Sequence, residues 1–226
     1  MSPSVIHAPS PNFNDRPAPV SILVLHYTGM ETGAAALERL RDPQAKVSSH
    51  YLVEEDGRVF ALVSEDKRAW HAGAGAWRGC RDVNSASIGI EIVNGGHDFD
   101  LPDFADAQIK AVTALCRDIL ARHAIAARDV IGHSDMAPAR KADPGEKFPW
   151  RTLAEAGIGL WPEAPVAGLS ADAAPAALAA IGYPAADNAL ADVVTAFQRR
   201  FRPARVDGRL DDETLGLIAA VQALSA

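Results

Sequence analysis

The chain is poor in cysteine, with only Cys80 and Cys116 among 226 residues. They lack the C-x-x-C spacing of a thiolate metal site and need not pair, so no disulfide framework is expected. Cys116 falls on the apolar face of a predicted helix and reads as a small buried hydrophobe. Basic charge is also short. Twenty-two Lys and Arg against 29 Asp and Glu leave a formal net charge of −7. That argues against a nucleic-acid binder, because phosphate backbones are held by basic patches. No apolar run approaches the roughly 20 residues of a membrane-spanning helix. The first 19 residues carry five prolines and no continuous apolar stretch, so they do not read as an export signal. This implies a cytoplasmic protein; a start missing from the sequence would instead allow the periplasm or the outer membrane. Composition is silent on oligomeric state.

What remains is a soluble globular composition, 48% hydrophobic and 23% charged, with length for one ordinary domain and a small second one. Residues 1–19 read as an extended arm. Val20 to Leu25 is a short apolar run with β-branched residues and predicts a buried strand. Thr32 to Arg41 predicts a helix stopped by Asp42-Pro43. Val47 to Val53 and Arg58 to Val63 form a hairpin turning at Asp56-Gly57. A long loop from Glu65 to about Ala86 carries Trp70-His71-Ala72-Gly73 and Trp77-Arg78-Gly79, and loops of this length are usually functional or disordered. Ile88 to Val93 predicts another buried strand, Ala105 to His123 an amphipathic helix, and Val130 to His133 a short strand. The expected fold is therefore α/β, a mixed central β-sheet flanked by helices. Residues 20–162 form this domain. After Trp161 a Pro-, Ala- and Gly-rich linker leads into three helical patterns, Asp172 to Ile181, Asn188 to Phe201 and Asp211 to Leu224. Residues 163–226 thus read as linker plus a small all-α domain.

The chemistry concentrates in Gly132 to Gly145, an irregular segment that its prolines keep from becoming helical. It holds His133, Lys141 and Asp143. His26 ends the first apolar strand. Two imidazoles and one carboxylate are ligand types that zinc favours, and three protein ligands leave a fourth position for water, as in catalytic sites. Glu91 is a lone acid in an apolar strand. It either faces outward on an edge strand or pairs with a base, or it serves as a general base. Lys141 is either a solvated surface lysine or a stabiliser of an oxyanion. His50 and Tyr51 alternate on a strand, so one faces inward; His50 reads as a core residue or one that orients a metal ligand, and Tyr51 is expected beside it in the same supporting role. His71 could line a cleft. His7, His97 and His123 have no partners in sequence and read as surface residues.

Five ordered motifs carry a resemblance. They are Leu25-His26-Tyr27-Thr28, Ser48-Ser49-His50-Tyr51-Leu52-Val53, Ala69-Trp70-His71-Ala72-Gly73, Ser87-Ile88-Gly89-Ile90-Glu91, and Gly132-His133-Ser134-Asp135 with Arg140-Lys141-Ala142-Asp143-Pro144-Gly145. Over residues 16–162 the chain resembles the type 2 N-acetylmuramoyl-L-alanine amidases, which are zinc hydrolases. The resemblance implies Zn2+ held by His26, His133 and Asp143, with Glu91 as catalytic acid and Lys141 assisting at the intermediate. It implies hydrolysis of the amide between N-acetylmuramic, or anhydro-N-acetylmuramic, acid and L-Ala of the stem peptide. Trp70, His71, Arg78, Arg81 and Asn84 fall in the loop that lines the cleft of such enzymes, and Arg78 or Arg81 is expected to hold a stem-peptide carboxylate. The tail, through Val193 to Phe201, Val206-Asp207-Gly208 and Asp211 to Thr214, looks like a three-helix peptidoglycan-binding module, although it is Ala-rich with few aromatics for gripping sugar. Its other reading is a module that only packs. The expected partners are muropeptides and anhydromuropeptides, in recycling. The alternatives are a periplasmic wall-digesting amidase and a non-catalytic peptidoglycan-binding protein.

Overall fold

A computed structural model describes residues 4–226; the first three residues of the expected arm lie outside it. The strands are β1 (Val5–His7), β2 (Phe13–Asp15), β3 (Ile22–Tyr27), β4 (Tyr51–Val53), β5 (Val59–Ala61), β6 (Lys67–Ala69), β7 (Ser87–Ile92) and β8 (Val130–Gly132). The helices are α1 (Gly33–Arg41), α2 (Val83–Ala86), α3 (Asp106–Arg122), α4 (His133–Met136), α5 (Trp150–Glu155), α6 (Ala174–Ile181), α7 (Leu190–Phe201) and α8 (Asp212–Leu224). Six strands form one sheet in the order β1-β5-β4-β7-β3-β8. β4, β7, β3 and β8 run parallel, while β4 and β5 pair antiparallel. The fold is the expected mixed α/β architecture.

Both faces of the parallel strands are covered, which is why β3 and β7 read as continuous apolar runs rather than alternating ones. Leu23 and Leu25, with Ile88, Ile90 and Ile92, pack against Ile109, Val112, Leu115, Cys116 and Ile119 of α3. Ile22, Val24 and Ile131 on the other face share one cluster with Trp77, Val83 and the helices α6 to α8. The C-terminal helices therefore cover the sheet face opposite α3.

Polar contacts lock those helices down. Asp135, fully buried in α4, accepts from Arg200 Nη1 of α7 at 2.8 Å and from the Tyr183 hydroxyl at 2.7 Å. It also caps the backbone N–H of Gly132 at 2.8 Å. Arg200 donates a second bond to Val130 O at 2.9 Å, and its guanidinium lies 4.2 Å from the Trp150 ring. The motif segment and the C-terminal helices thus share one buried ion pair.

The amino-terminal segment differs from a free arm. β1 adds to the sheet edge beside β5, and β2 pairs with β6 inside the long loop. Arg16 then inserts its guanidinium among carbonyls, donating to Glu65 O, Ser85 O and Lys67 O and contacting His50 Nε2 at 2.9 Å. Sequence patterning missed these strands because three-residue segments carry too little periodicity. The motif segment departs from expectation as well. His133 to Met136 makes one helical turn, because its prolines come later and the Asp135 carboxylate satisfies the Gly132 N–H at the start of that turn.

Candidate metal centre

Parallel register builds the site. His26 on β3 lies beside Glu91 on β7, and Leu25 lies beside Gly132, the residue before His133. All three chemical residues therefore emerge at the carboxyl ends of neighbouring strands, where α/β sheets place their ligands. The chain returns through an irregular turn in which Ser134 N donates to Asp143 O at 2.9 Å, and the Asp143-Pro144 peptide is cis. That return brings the Asp143 carboxylate between the two imidazoles.

Three donor atoms converge. His26 Nδ1 and His133 Nδ1 are 2.9 Å apart, and Asp143 Oδ2 lies 2.9 Å from the first and 3.0 Å from the second. All three residues are buried. A tetrahedral ion with bonds near 2.1 Å spaces its ligand atoms about 3.4 Å apart, so this triangle accepts one after an expansion of a few tenths of an ångström. His133 Nε2 donates to Ala72 O at 2.7 Å, which leaves its Nδ1 a bare lone pair. A cation among these atoms would relieve their mutual repulsion, and the residues present fit one. Burial brings the His26 imidazole down to about 4, with His133 adding to the shift, so it is neutral and able to ligate. Burial alone would raise the Asp143 carboxyl, but His133 and His26 outweigh it and hold the group far below the ordinary carboxylate range.

Glu91 is not on an edge. β7 lies between β4 and β3, and Glu91 Oε2 is shielded from solvent without a hydrogen-bond partner among the described residues. Burial raises its carboxyl well above the usual value, the Asp143 charge raises it further, and Lys141 offsets part of the shift. Lys141 and Glu91 border the same cleft of about 520 Å³, together with Tyr27, Arg39, Trp70, His97 and Arg140. A raised acid, a lysine and a metal-type triangle around one cavity can exchange a proton and stabilise an anion on a bound amide.

Several expected site residues sit elsewhere. Arg78 does not reach the cleft; it donates to Ile181 O at 2.9 Å and fixes the end of α6. Arg81 pairs with Asp187 at 2.8 Å, on the C-terminal unit. Asn84 is buried, and its Oδ1 accepts from the backbone N–H groups of His71 and Ala72. A loop long enough to line a cleft also spends side chains on holding itself, and spacing alone does not separate the two uses. His71 reaches the cavity with little exposed surface and meets His26 Nε2 at 2.9 Å. Trp70 borders the cleft and donates from its indole N–H to Asn14 at 2.6 Å. His50 faces inward but contacts Arg16 and Gly89 N, not a metal-type donor. Tyr51 points away, donating to Glu65 at 2.8 Å. His97 is not a plain surface residue, since its imidazole joins the Tyr27 hydroxyl to Glu146 at the cleft rim. His123 pairs with Glu65 at 2.7 Å. Tyr27 and Arg140 were legible only as neighbours of His26 and Lys141 in their motifs.

Comparison with known proteins places the chain in a family. The model of a family described as N-acetylmuramoyl-L-alanine amidase matches residues 16–146. The N-acetylmuramoyl-L-alanine amidase AmiD of Escherichia coli is 38% identical, over 89% of this chain and 82% of its own. A structure of the E. coli AmiD in complex with anhydro-N-acetylmuramic acid-L-Ala-D-γ-Glu-L-Lys superposes with a TM-score of 0.82 at 36% identity, covering 93% of this chain and 92% of that one. The 1,6-anhydro-N-acetylmuramyl-L-alanine amidase AmpD of Enterobacter cloacae is 34% identical over 64% of this chain and 85% of its own. With the family's matched region spanning β3 to the Asp143 turn, the chain belongs to the N-acetylmuramoyl-L-alanine amidases.

Proposed function

We propose that this amidase is a zinc enzyme of muropeptide recycling that cleaves anhydro-N-acetylmuramic acid from the L-Ala of its stem peptide. The observation that carries the reading is the His26, His133 and Asp143 triangle beside a cleft that Glu91 also borders, with Glu91 Oε2 buried and without a hydrogen-bond partner among the described residues. The substrate choice draws support from the anhydromuramyl-peptide bound to AmiD and from the 1,6-anhydro-N-acetylmuramyl-L-alanine amidase activity for which AmpD is named.

Zinc held by His26, His133 and Asp143 would polarise the lactyl carbonyl and acidify water beside it. Glu91, as carboxylate, takes a proton from the attacking water as the new C–O bond forms. Lys141, which borders the same cleft, would offset the negative charge developing on the carbonyl oxygen. When the C–N bond breaks, Glu91 returns the proton to the L-Ala nitrogen, which leaves as an amine. Raising the Glu91 carboxyl above its ordinary range suits both steps, because a base that must later act as an acid works best near ambient pH. The cavity is of a size to enclose a sugar and the first residues of a peptide.

The test offers the full chain anhydromuramyl-peptide, reduced muropeptide and intact sacculi, with mass detection of released products. Free peptide should appear fastest from the anhydro compound, and chelation should abolish release. Faster release from sacculi would overturn the recycling role. Undiminished turnover after metal removal, or after Asp143→Ala, would overturn the zinc mechanism.

A further inference from the structure

Behind His26 a hydrogen-bonded row runs into the sheet. His26 Nε2 lies 2.9 Å from His71 Nδ1, and His71 Nε2 lies 3.1 Å from Ser87 Oγ. The Ser87 hydroxyl donates to Val83 O at 2.5 Å. A serine has one proton to give. With that proton on Val83 O, Ser87 Oγ can only accept, so His71 carries its proton on Nε2. Its Nδ1 is then an acceptor, and His26 must donate from Nε2. The Nδ1 of His26 is left bare, pointing at His133 and Asp143.

The sheet is shaped for this row. Ser87, Gly89 and Glu91 alternate onto one face of β7. A Cβ on Gly89 would stand 2.5 Å from the His71 ring, so the glycine leaves room for the imidazole. Asn84 Oδ1 fixes the backbone on either side, accepting from His71 N at 3.0 Å and Ala72 N at 2.8 Å. Ser87 is fully buried and His71 nearly so.

From this arrangement we infer that His71 and Ser87 are positioning residues. They fix the tautomer of His26 so that its Nδ1 lone pair is presented to the metal. The inference rests on reading the triangle as a zinc site. His71 thus belongs to the ligand's support and not to substrate recognition, the role that a residue in the cleft loop first suggests. Partners of this kind typically change metal affinity 10- to 100-fold when removed.

Zinc alone is the probe. The affinity of the full chain is measured by competition with a chromophoric chelator, and imidazole tautomers are read by long-range 1H–15N correlation in the zinc-free protein. His71→Leu and His71→Asn have nearly the same shape, but only Asn keeps an acceptor near the place of Nδ1. His71→Leu should weaken zinc binding by about 10- to 100-fold, and His71→Asn should recover most of that loss. In the wild type His71 should be protonated at Nε2; Ser87→Ala should give a mixture of its two tautomers. Zinc affinity of His71→Leu equal to that of the wild type, or of His71→Asn as weak as that of His71→Leu, would overturn the relay alone. A wild-type His71 protonated at Nδ1 would do the same. A wild-type chain that takes up no zinc overturns the metal centre and the relay together.

Discussion

Replacing Arg200 with Met should destabilise the protein sharply, although residue 200 is far from the cleft in sequence. Arg200 and Asp135 are both buried and meet at 2.8 Å. Removing the guanidinium strands a carboxylate in the interior, which typically costs 3–5 kcal/mol. Asp135 keeps two donors, the Tyr183 hydroxyl and the Gly132 N–H, so about 3 kcal/mol is the better estimate. Met fills the space of the arginine stem against Trp150 and Phe201, which keeps the loss electrostatic rather than a packing defect. For a chain of this length the Tm should fall by roughly 6–12 °C. Urea unfolding of the metal-free protein measures the free energy directly. The double variant Asp135→Asn with Arg200→Met removes the stranded charge and should recover more than half of the loss. A single variant within about 1 kcal/mol of the wild type would refute the reasoning. A double variant no better than the single one would refute it equally, since either result means that no buried charge was left unpaired.

Further outcomes follow from the same contacts. Glu91→Gln should abolish peptide release while leaving zinc binding near wild type, as tested by turnover beside metal analysis; retained turnover would remove Glu91 from the proton path. Because the folded protein raises the Glu91 carboxyl, the metal-free wild type should lose stability as pH climbs from the ordinary carboxylate range through that raised value. Glu91→Gln should flatten this limb of a urea titration. Burial depresses His50 to about 4, so its contribution to stability is present above pH 6.5 and lost as pH falls from about 6.5 to about 4. The slope approaches 1.4 kcal/mol per pH unit at most, and His50→Gln should reduce it in an acid-unfolding series. Arg81→Ala should leave KM unchanged and stability within about 1 kcal/mol, because its pair with Asp187 is exposed. A large rise in KM would return Arg81 to the cleft.

Legibility in the sequence followed the physics of each feature. His26, Glu91 and His133 could be picked out because parallel strands display their chemistry at carboxyl ends, and each sits within a residue or two of such an end. Long elements were legible for a similar reason. The seventeen residues of α3 repeat their apolar spacing several times, whereas β1 and β2 have three residues each. The long loop was harder, since Trp70, His71, Arg78, Arg81 and Asn84 look alike as polar or aromatic loop residues. Only three-dimensional partners separate Trp70 on the cleft from Asn84 under it and from the two arginines that meet the C-terminal helices.

The C-terminal helices raise the sharpest form of this problem. Their sequence pattern resembles a sugar-gripping module, yet aromatic side chains that could serve such a grip are turned inward. Phe197, Phe201 and Tyr183 are buried and share one cluster with Ile22, Val24 and Ile131 of the sheet. An apolar face committed to the sheet is not available to a ligand. The same helices send Arg200 to Asp135, two residues from His133. Sequence pattern can report that a helix has an apolar face, but not what covers it. Here the covering surface is the sheet that carries the site, so these helices act first on the shape of the His133 turn. Any grip on the wall would have to come from their exposed polar surface.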